Sequence, residues 1–242
     1  MLRIIDARTG ESVDAAPARR GLTRVEAHVP GFDPSAVRVL LVTDLLVRAL
    51  ELGGTPVWAL LSAPRDLAEL RASAAALGVR PFEDGQDTGP GLGEAQVLQV
   101  TGEGGAVPDG VRVEVAAVHC AQPAVAEGAD PAALRLALLG SPRGAPVTLG
   151  PAALADAERT LGRWRRAVAT WAHRPSRPVP DDVRARLRGA WEDDLDVPEV
   201  LRVLHAVEEA GPELPDGARF ETYAYADRLL GLELTRDLGA LA

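Results

Sequence analysis

The order of apolar segments predicts an α/β half followed by an all-α half. Two observations carry this expectation. Short apolar runs alternate with longer ones over the first eighty positions, which is the order of a parallel sheet with crossover helices. Beyond position 129 only helix-length segments remain, with proline and glycine at their joints.

Leu2–Asp6 reads as a short strand that ends at the turn signal Thr9-Gly10, and Arg24–Val29 alternates as a second strand. Val37–Leu52 is nearly all apolar and is closed by Gly53-Gly54, which marks a buried helix. Pro56–Leu61 reads as a buried strand, and Arg65–Leu77 as a helix stopped by Gly78. The glycine-rich stretch 83–110 is expected to be loop with an edge strand at Ala95–Val100. Val111–His119 alternates and reads as a further strand of the sheet.

Asp130-Pro131 pairs a capping residue with proline at the first helical position, so a helix is expected to run to about Leu139. Pro151–Trp171 is the next helix, and Pro175–Pro180 is a linker. Val183–Trp191, Val197–Glu209 and Thr222–Leu232 complete the helical half. Asp196 with Glu199 forms a capping-box pattern with Pro198 in the first turn, so the acidic run Asp193, Asp194, Asp196 is read as capping and not as a metal site. Trp58, Trp164, Trp171 and Trp191 are expected to anchor the packing.

All 26 basic side chains are arginine. Without lysine there is no Schiff base, no P-loop lysine and no lysine general base. The 35 acids leave a net charge of −9, which disfavours polyanions on average. Nine arginines between Arg159 and Arg188 run against that trend, with Asp181 and Asp182 the acids among them. Cys120 is the one cysteine, so no intrachain disulfide forms and a reducing cytoplasm is the expected setting. The N-terminus does not read as a signal peptide. The longest apolar stretch, Val37–Leu50, is interrupted by Arg38, Asp44 and Arg48, so no membrane span is expected.

Two phrases of the helical half carry a family resemblance. One is Ala129-Asp130-Pro131-Ala132-Ala133-Leu134-Arg135-Leu136-Ala137-Leu138-Leu139, followed by Ser141-Pro142-Arg143 and Pro151-Ala152-Ala153-Leu154. The other is Ala190-Trp191-Glu192-Asp193-Asp194-Leu195-Asp196-Val197-Pro198-Glu199-Val200-Leu201. Both resemble the region that follows the catalytic domain of cysteinyl-tRNA synthetases, as Arg38–Val57 and Ala74–Pro81 resemble segments of that domain. The order also fits the related mycothiol-pathway ligases, which join cysteine to an amino sugar. The resemblance implies a Rossmann-like catalytic-type domain over 1–128 with its insertion largely lost. It implies a helical domain over 129–242 with no anticodon-binding module.

Such enzymes grip ATP through a His-Ile-Gly-His turn at the start of the first long helix and a lysine-rich loop. The matching positions here are Asp33-Pro34-Ser35-Ala36, with both histidines replaced and an aspartate first. The lysine loop has no counterpart, and its place falls at His119-Cys120-Ala121-Gln122-Pro123. No catalytic residue is therefore assigned. Asp33, Ser35, Arg38 and Arg143 are the candidate vestigial nucleotide contacts, and His119 with Cys120 is a further candidate pair. No metal is expected, because the family's zinc needs several Cys, His and Glu ligands.

Three functions are weighed. The first is a catalytically degenerate paralogue that binds or regulates through a protein partner or a second copy, with no cofactor. The second is an ATP-dependent ligase joining a cysteine-like amino acid to a small amine, with Arg38 and Arg143 on the phosphates. The third is a tRNA-binding protein using the Arg159–Arg188 segment.

Overall fold

The computed structural model describes residues 1–18, 21–85, 94–120 and 130–239. The α/β half opens with β1 (Arg3–Ile5) and β2 (Ser12–Asp14), an antiparallel pair outside the main sheet. The main sheet has five parallel strands: β3 (Leu22–His28), β4 (Val57–Ser62), β5 (Glu83–Asp84), β6 (Glu94–Gly102) and β7 (Val111–Val115). Their order across the sheet is β5-β4-β3-β6-β7. The chain moves outward from β3 through α1 (Pro34–Leu52) and α2 (Leu67–Ala76), then returns to the other side of β3. This is a Rossmann-like α/β arrangement, as the element order predicts.

Register explains why the sheet is two-faced. Partners in a parallel ladder point to the same side. Val25, Ala27, Leu61, Leu98, Val100, Val113 and Val115 share one face, and all are buried. That face lies against α1. The other face carries Arg24, Glu26 and His28 of β3 beside Gln99 and Thr101 of β6 and Arg112 and Glu114 of β7.

α1 starts where its sequence says it should. Asp33 accepts a hydrogen bond from the Ala36 amide at 2.7 Å and Pro34 fills the first helical turn. The helix is buried along nearly its whole length because the sheet and the helical half cover it, and its interior polar residues are paired within the fold.

The helical half comprises α3 (Pro131–Leu139), α4 (Pro151–Trp171), α5 (Asp181–Glu192), α6 (Val197–Glu209) and α7 (Asp216–Leu230). Its core gathers around Trp164, which is wholly buried, with Tyr223 edge-on to both Trp164 and Trp171 at ring separations of 5.7 and 5.2 Å. Trp191 is buried too; Trp58 is half-buried at the sheet edge, donating to Glu83 Oε2 at 2.8 Å. α7 packs on α4, α6 and α1, so one hydrophobic cluster runs from the sheet into the helices.

Three features differ from expectation. β6 is an interior strand, paired with both β3 and β7, and not an edge. Its alternate polar positions lie on the polar side of the sheet, which makes an interior strand look half-exposed in sequence. The strand expected at Val111–His119 is two strands: β7 ends at Val115, and β8 (Val118–Cys120) pairs with β9 (Val147–Leu149) in a separate ladder. The break falls where the Ala116 amide donates to Arg143 carbonyl at 2.8 Å and the Ala116 carbonyl accepts from Arg38. α7 begins at Asp216, six positions before Thr222, its start obscured in sequence by Gly217 and by a cap that offers no side chain.

Candidate ligand crevice at the sheet switch point

Adjacent strands whose crossovers leave in opposite directions open a crevice at their carboxyl ends. Here those strands are β3 and β6. Their ends bring together Glu26, His28, Gln99 and Thr101, with the first turn of α1 following β3 after five residues. Gln99 is wholly buried and Glu26 nearly so. Gln99 Oε1 lies 2.5 Å from His28 Nε2, and a side-chain amide oxygen can only accept, so the histidine donates. Gln99 Nε2 in turn donates to the Asp109 carbonyl at 3.3 Å, which draws the β6–β7 connection toward this face. Glu26 Oε1 lies 3.8 Å from His28 Nε2, and Glu26 Oε2 lies 3.5 Å from Arg24.

Two loops lie beyond the carboxyl ends of β3 and β4. Asp66 holds a left-handed backbone, φ 57°, and its carboxylate accepts from the Phe32 amide at 3.0 Å. Beside it the exposed Arg65 donates to the Pro30 carbonyl at 3.3 Å. Phe32 is exposed.

Sequence reading did not single out Glu26, His28 or Gln99. The signal was available: Arg24-Val25-Glu26-Ala27-His28 puts three charged or polar groups on one side of a strand that is apolar on the other.

The candidate residues named from sequence are not gathered into one site. Asp33 is exposed and bound to its own helix, as described. Ser35 Oγ accepts from the Val118 amide at 3.0 Å, tying α1 to β8. Arg38 is buried inside the fold, where it donates to the carbonyls of Ala116, Ala145 and Pro142 at 2.9, 2.7 and 2.8 Å. Burial pushes its guanidinium below the usual arginine range, with Glu103 opposing. Arg143 donates to the Glu114 and Ile5 carbonyls at 2.7 and 3.1 Å and pairs with Asp194. Both guanidiniums are thus directed at the protein's own main chain. His119 is exposed and Cys120 half-buried at the end of β8, where burial pushes the thiol up. Residues 121–123, the rest of the expected lysine-loop position, lie outside the described residues.

A triphosphate needs free amides and cations at the start of α1. The residues here do not fit one. Pro34 has no N–H, the Ala36 amide is held by the Asp33 carboxylate, and the Val37 amide donates to the Asp33 carbonyl at 3.1 Å. A second anion would meet Asp33 at contact distance. Among the described residues no three His, Cys, Asp or Glu side chains lie close enough to hold a metal ion. Asp196 caps α6 through the Glu199 amide at 3.0 Å, whereas Asp194 pairs with Arg143 and accepts from the Ile5 amide at 2.9 Å.

The fold and crevice define a Rossmann-like body joined to a helical bundle. Comparison with known proteins adds a family likeness over part of the chain. It is 39% identical over 109 residues to an L-cysteine:1D-myo-inositol 2-amino-2-deoxy-alpha-D-glucopyranoside ligase of Streptosporangium roseum, covering 44% of this chain and 26% of that one. Ligases of the same description match from a Mycobacterium sp. (42% over 81 residues, 34% of this chain and 19% of the relative) and from Geodermatophilus obscurus (37% over 113 residues, 45% and 26%). These support the resemblance to the synthetase-like cysteine ligases. The matched stretch spans between 19% and 26% of these relatives' own length. No family model matches the chain. No helix among the described residues is long and apolar enough to cross a membrane.

Proposed function

We propose that the protein is a binding module built on a ligase-like fold, and that it does not form an aminoacyl adenylate. One observation carries the reading: the Asp33 carboxylate occupies the amide end of α1, 2.7 Å from the Ala36 nitrogen, where a nucleotide phosphate would have to lie. The replacement keeps the helix well capped and makes its N-terminus hostile to phosphate. The inward aim of Arg38 and Arg143 supports the same reading, because neither can move to a ligand without leaving main-chain carbonyls unpaired.

The crevice keeps polar lining of its own. Glu26 is a buried carboxylate and Gln99 and His28 form a fixed hydrogen-bonding pair beside it. This lining suits a polar, amine-bearing small molecule better than a polyanion. The relatives' names specify two such amines, cysteine and an amino sugar.

A working ligase that places its phosphates differently is the second reading, and the 37–42% identity to ligases favours it. Amino-acid-dependent pyrophosphate exchange, run with each of the twenty amino acids, separates the two. The binding-module reading expects no exchange above the protein-free rate. Clear exchange with any one amino acid supports the ligase.

A further inference from the structure

The nine arginines from Arg159 to Arg188 resolve, in the fold, into those with and those without a carboxylate partner, although Arg184 of the second group donates to the Val179 carbonyl at 3.4 Å. Arg159 pairs with Asp156, Arg163 with Glu208 and Arg165 with Asp130. Arg174 pairs with Asp216, Arg186 with Glu199 and Arg188 with Glu192. Arg166, Arg177 and Arg184 have no carboxylate partner among the described residues. Arg166 stands apart on α4. Arg177 and Arg184 do not: together with Arg228 of α7, itself without an acidic partner among the described residues, they line a single groove of about 420 Å³.

The groove is a built feature. One wall is the irregular strap 175–180, and the other is the outer side of α7 from Glu221 to Arg228. The strap is pinned by Ser176 Oγ donating to Glu221 Oε1 at 2.7 Å and by the buried Val179. Gly217 lets it come close, because a Cβ there would lie 2.0 Å from the Pro175 carbonyl oxygen. Glu221, the acid of the lining, is already engaged by Ser176. Three guanidiniums therefore face one occupied carboxylate, in a chain of net charge −9. The half-buried Tyr225 lines the same groove, its ring 5.3 Å from that of Trp191.

We infer that this groove binds a small phosphorylated molecule, with its phosphates on Arg177, Arg184 and Arg228 and its body against Tyr225. Guanidinium groups bind phosphate in a bidentate fashion, and an aromatic ring offers a flat surface for a base or sugar. The volume is in the range of small-molecule sites, about 300–1,000 Å³. A nucleic-acid strand would need basic surface continuing beyond the groove. The flanking Arg174, Arg186 and Arg188 are instead neutralised by their own acids. That favours a compact ligand over a polymer.

The test titrates the full chain with inorganic tripolyphosphate, with ATP and with a twelve-nucleotide single-stranded RNA, by calorimetry at two salt concentrations. We expect tripolyphosphate and ATP to bind, the RNA no more tightly than tripolyphosphate, and affinity to fall at higher salt. The double variant Arg177→Glu/Arg184→Glu, with both side chains exposed and the fold checked by circular dichroism, should weaken both ligands at least tenfold. Tyr225→Leu should weaken ATP more than tripolyphosphate. Arg65→Glu, in the loop after β4, should leave both affinities unchanged. The inference is overturned if neither phosphate compound binds, if binding survives the double charge reversal, if Arg65→Glu abolishes it instead, or if the RNA binds far more tightly.

Discussion

Arg135 of α3 and Asp44 of α1 form an ion pair in which neither side chain is exposed, with Nη2 and Oδ2 2.8 Å apart. The remaining Arg135 donors reach the Leu230 and Leu77 carbonyls at 2.6 and 2.9 Å. Arg48 and Arg80 add 2.8 and 3.2 Å contacts to the same carboxylate. One buried pair therefore ties together α1, α3, the end of α2 and the end of α7. This knot joins the sheet half to the helical half.

Breaking the pair from one side strands a charge in the interior. Arg135→Met should destabilise the protein by about 3–5 kcal/mol, as measured by urea unfolding. Replacing both members, Asp44→Leu with Arg135→Met, should recover much of that loss, although Arg48 and Arg80 then lose a partner. A single variant within about 0.5 kcal/mol of the parent would show that the knot does not hold the halves together.

The same carboxylate sets an acid limit. Burial alone would raise the Asp44 carboxyl, but Arg135 and Arg48 outweigh it and hold it below the usual carboxylate range. A depressed folded pKa contributes stability above the unfolded value, about 3.9, and loses it as pH falls through the folded value. Unfolding free energy should therefore drop with acid below about pH 4. Asp44→Asn should start from a lower plateau and show a shallower fall in that window. An unchanged acid profile in Asp44→Asn would remove this group from the account.

Asp33 has two roles that substitution separates. Asp33→Ala removes the α1 cap and should cost about 1 kcal/mol, whereas Asp33→Ser keeps a capping oxygen and should be close to neutral. Thermal unfolding of the two variants side by side checks the difference. Equal melting temperatures for both and the parent would mean the Asp33–Ala36 bond does not cap the helix in solution.

Gly217→Ala should dislodge the strap, because the added methyl meets the Pro175 carbonyl. Overpacking of this kind costs about 1–3 kcal/mol. Limited proteolysis with a protease of broad specificity should cut between Ser176 and Arg177 faster than in the parent protein. An equal cutting rate would show that the strap does not depend on that close approach.

Local features were the legible ones. α4 and α6 run over Pro151–Trp171 and Val197–Glu209, as their prolines, caps and apolar spacing indicate. What sequence hid was long-range. β6 looked like an edge because its polar residues Gln99 and Thr101 serve a polar sheet face, and only the strand order reveals that face. The break between β7 and β8 is set by Arg38 and Arg143, which reach Ala116 across the fold. Those two arginines looked free for phosphate, since no periodicity tells whether a guanidinium turns inward to carbonyls. The basic segment is similar: its charge count was plain, but which arginines are neutralised depends on partners such as Glu208, 45 positions from Arg163. The Asp33 replacement, in contrast, was readable directly, because cap and phosphate contact compete for the same helix end.

We expect the start of α1 to hold no nucleotide phosphate. Amide chemical-shift mapping of the uniformly ¹⁵N-labelled chain with magnesium ATP tests it residue by residue. No ligand-dependent movement is expected at Ser35, Ala36 or Val37, with shifts gathered instead around Arg177, Arg184 and Arg228. Saturable shifts centred on Ser35–Val37 would contradict it.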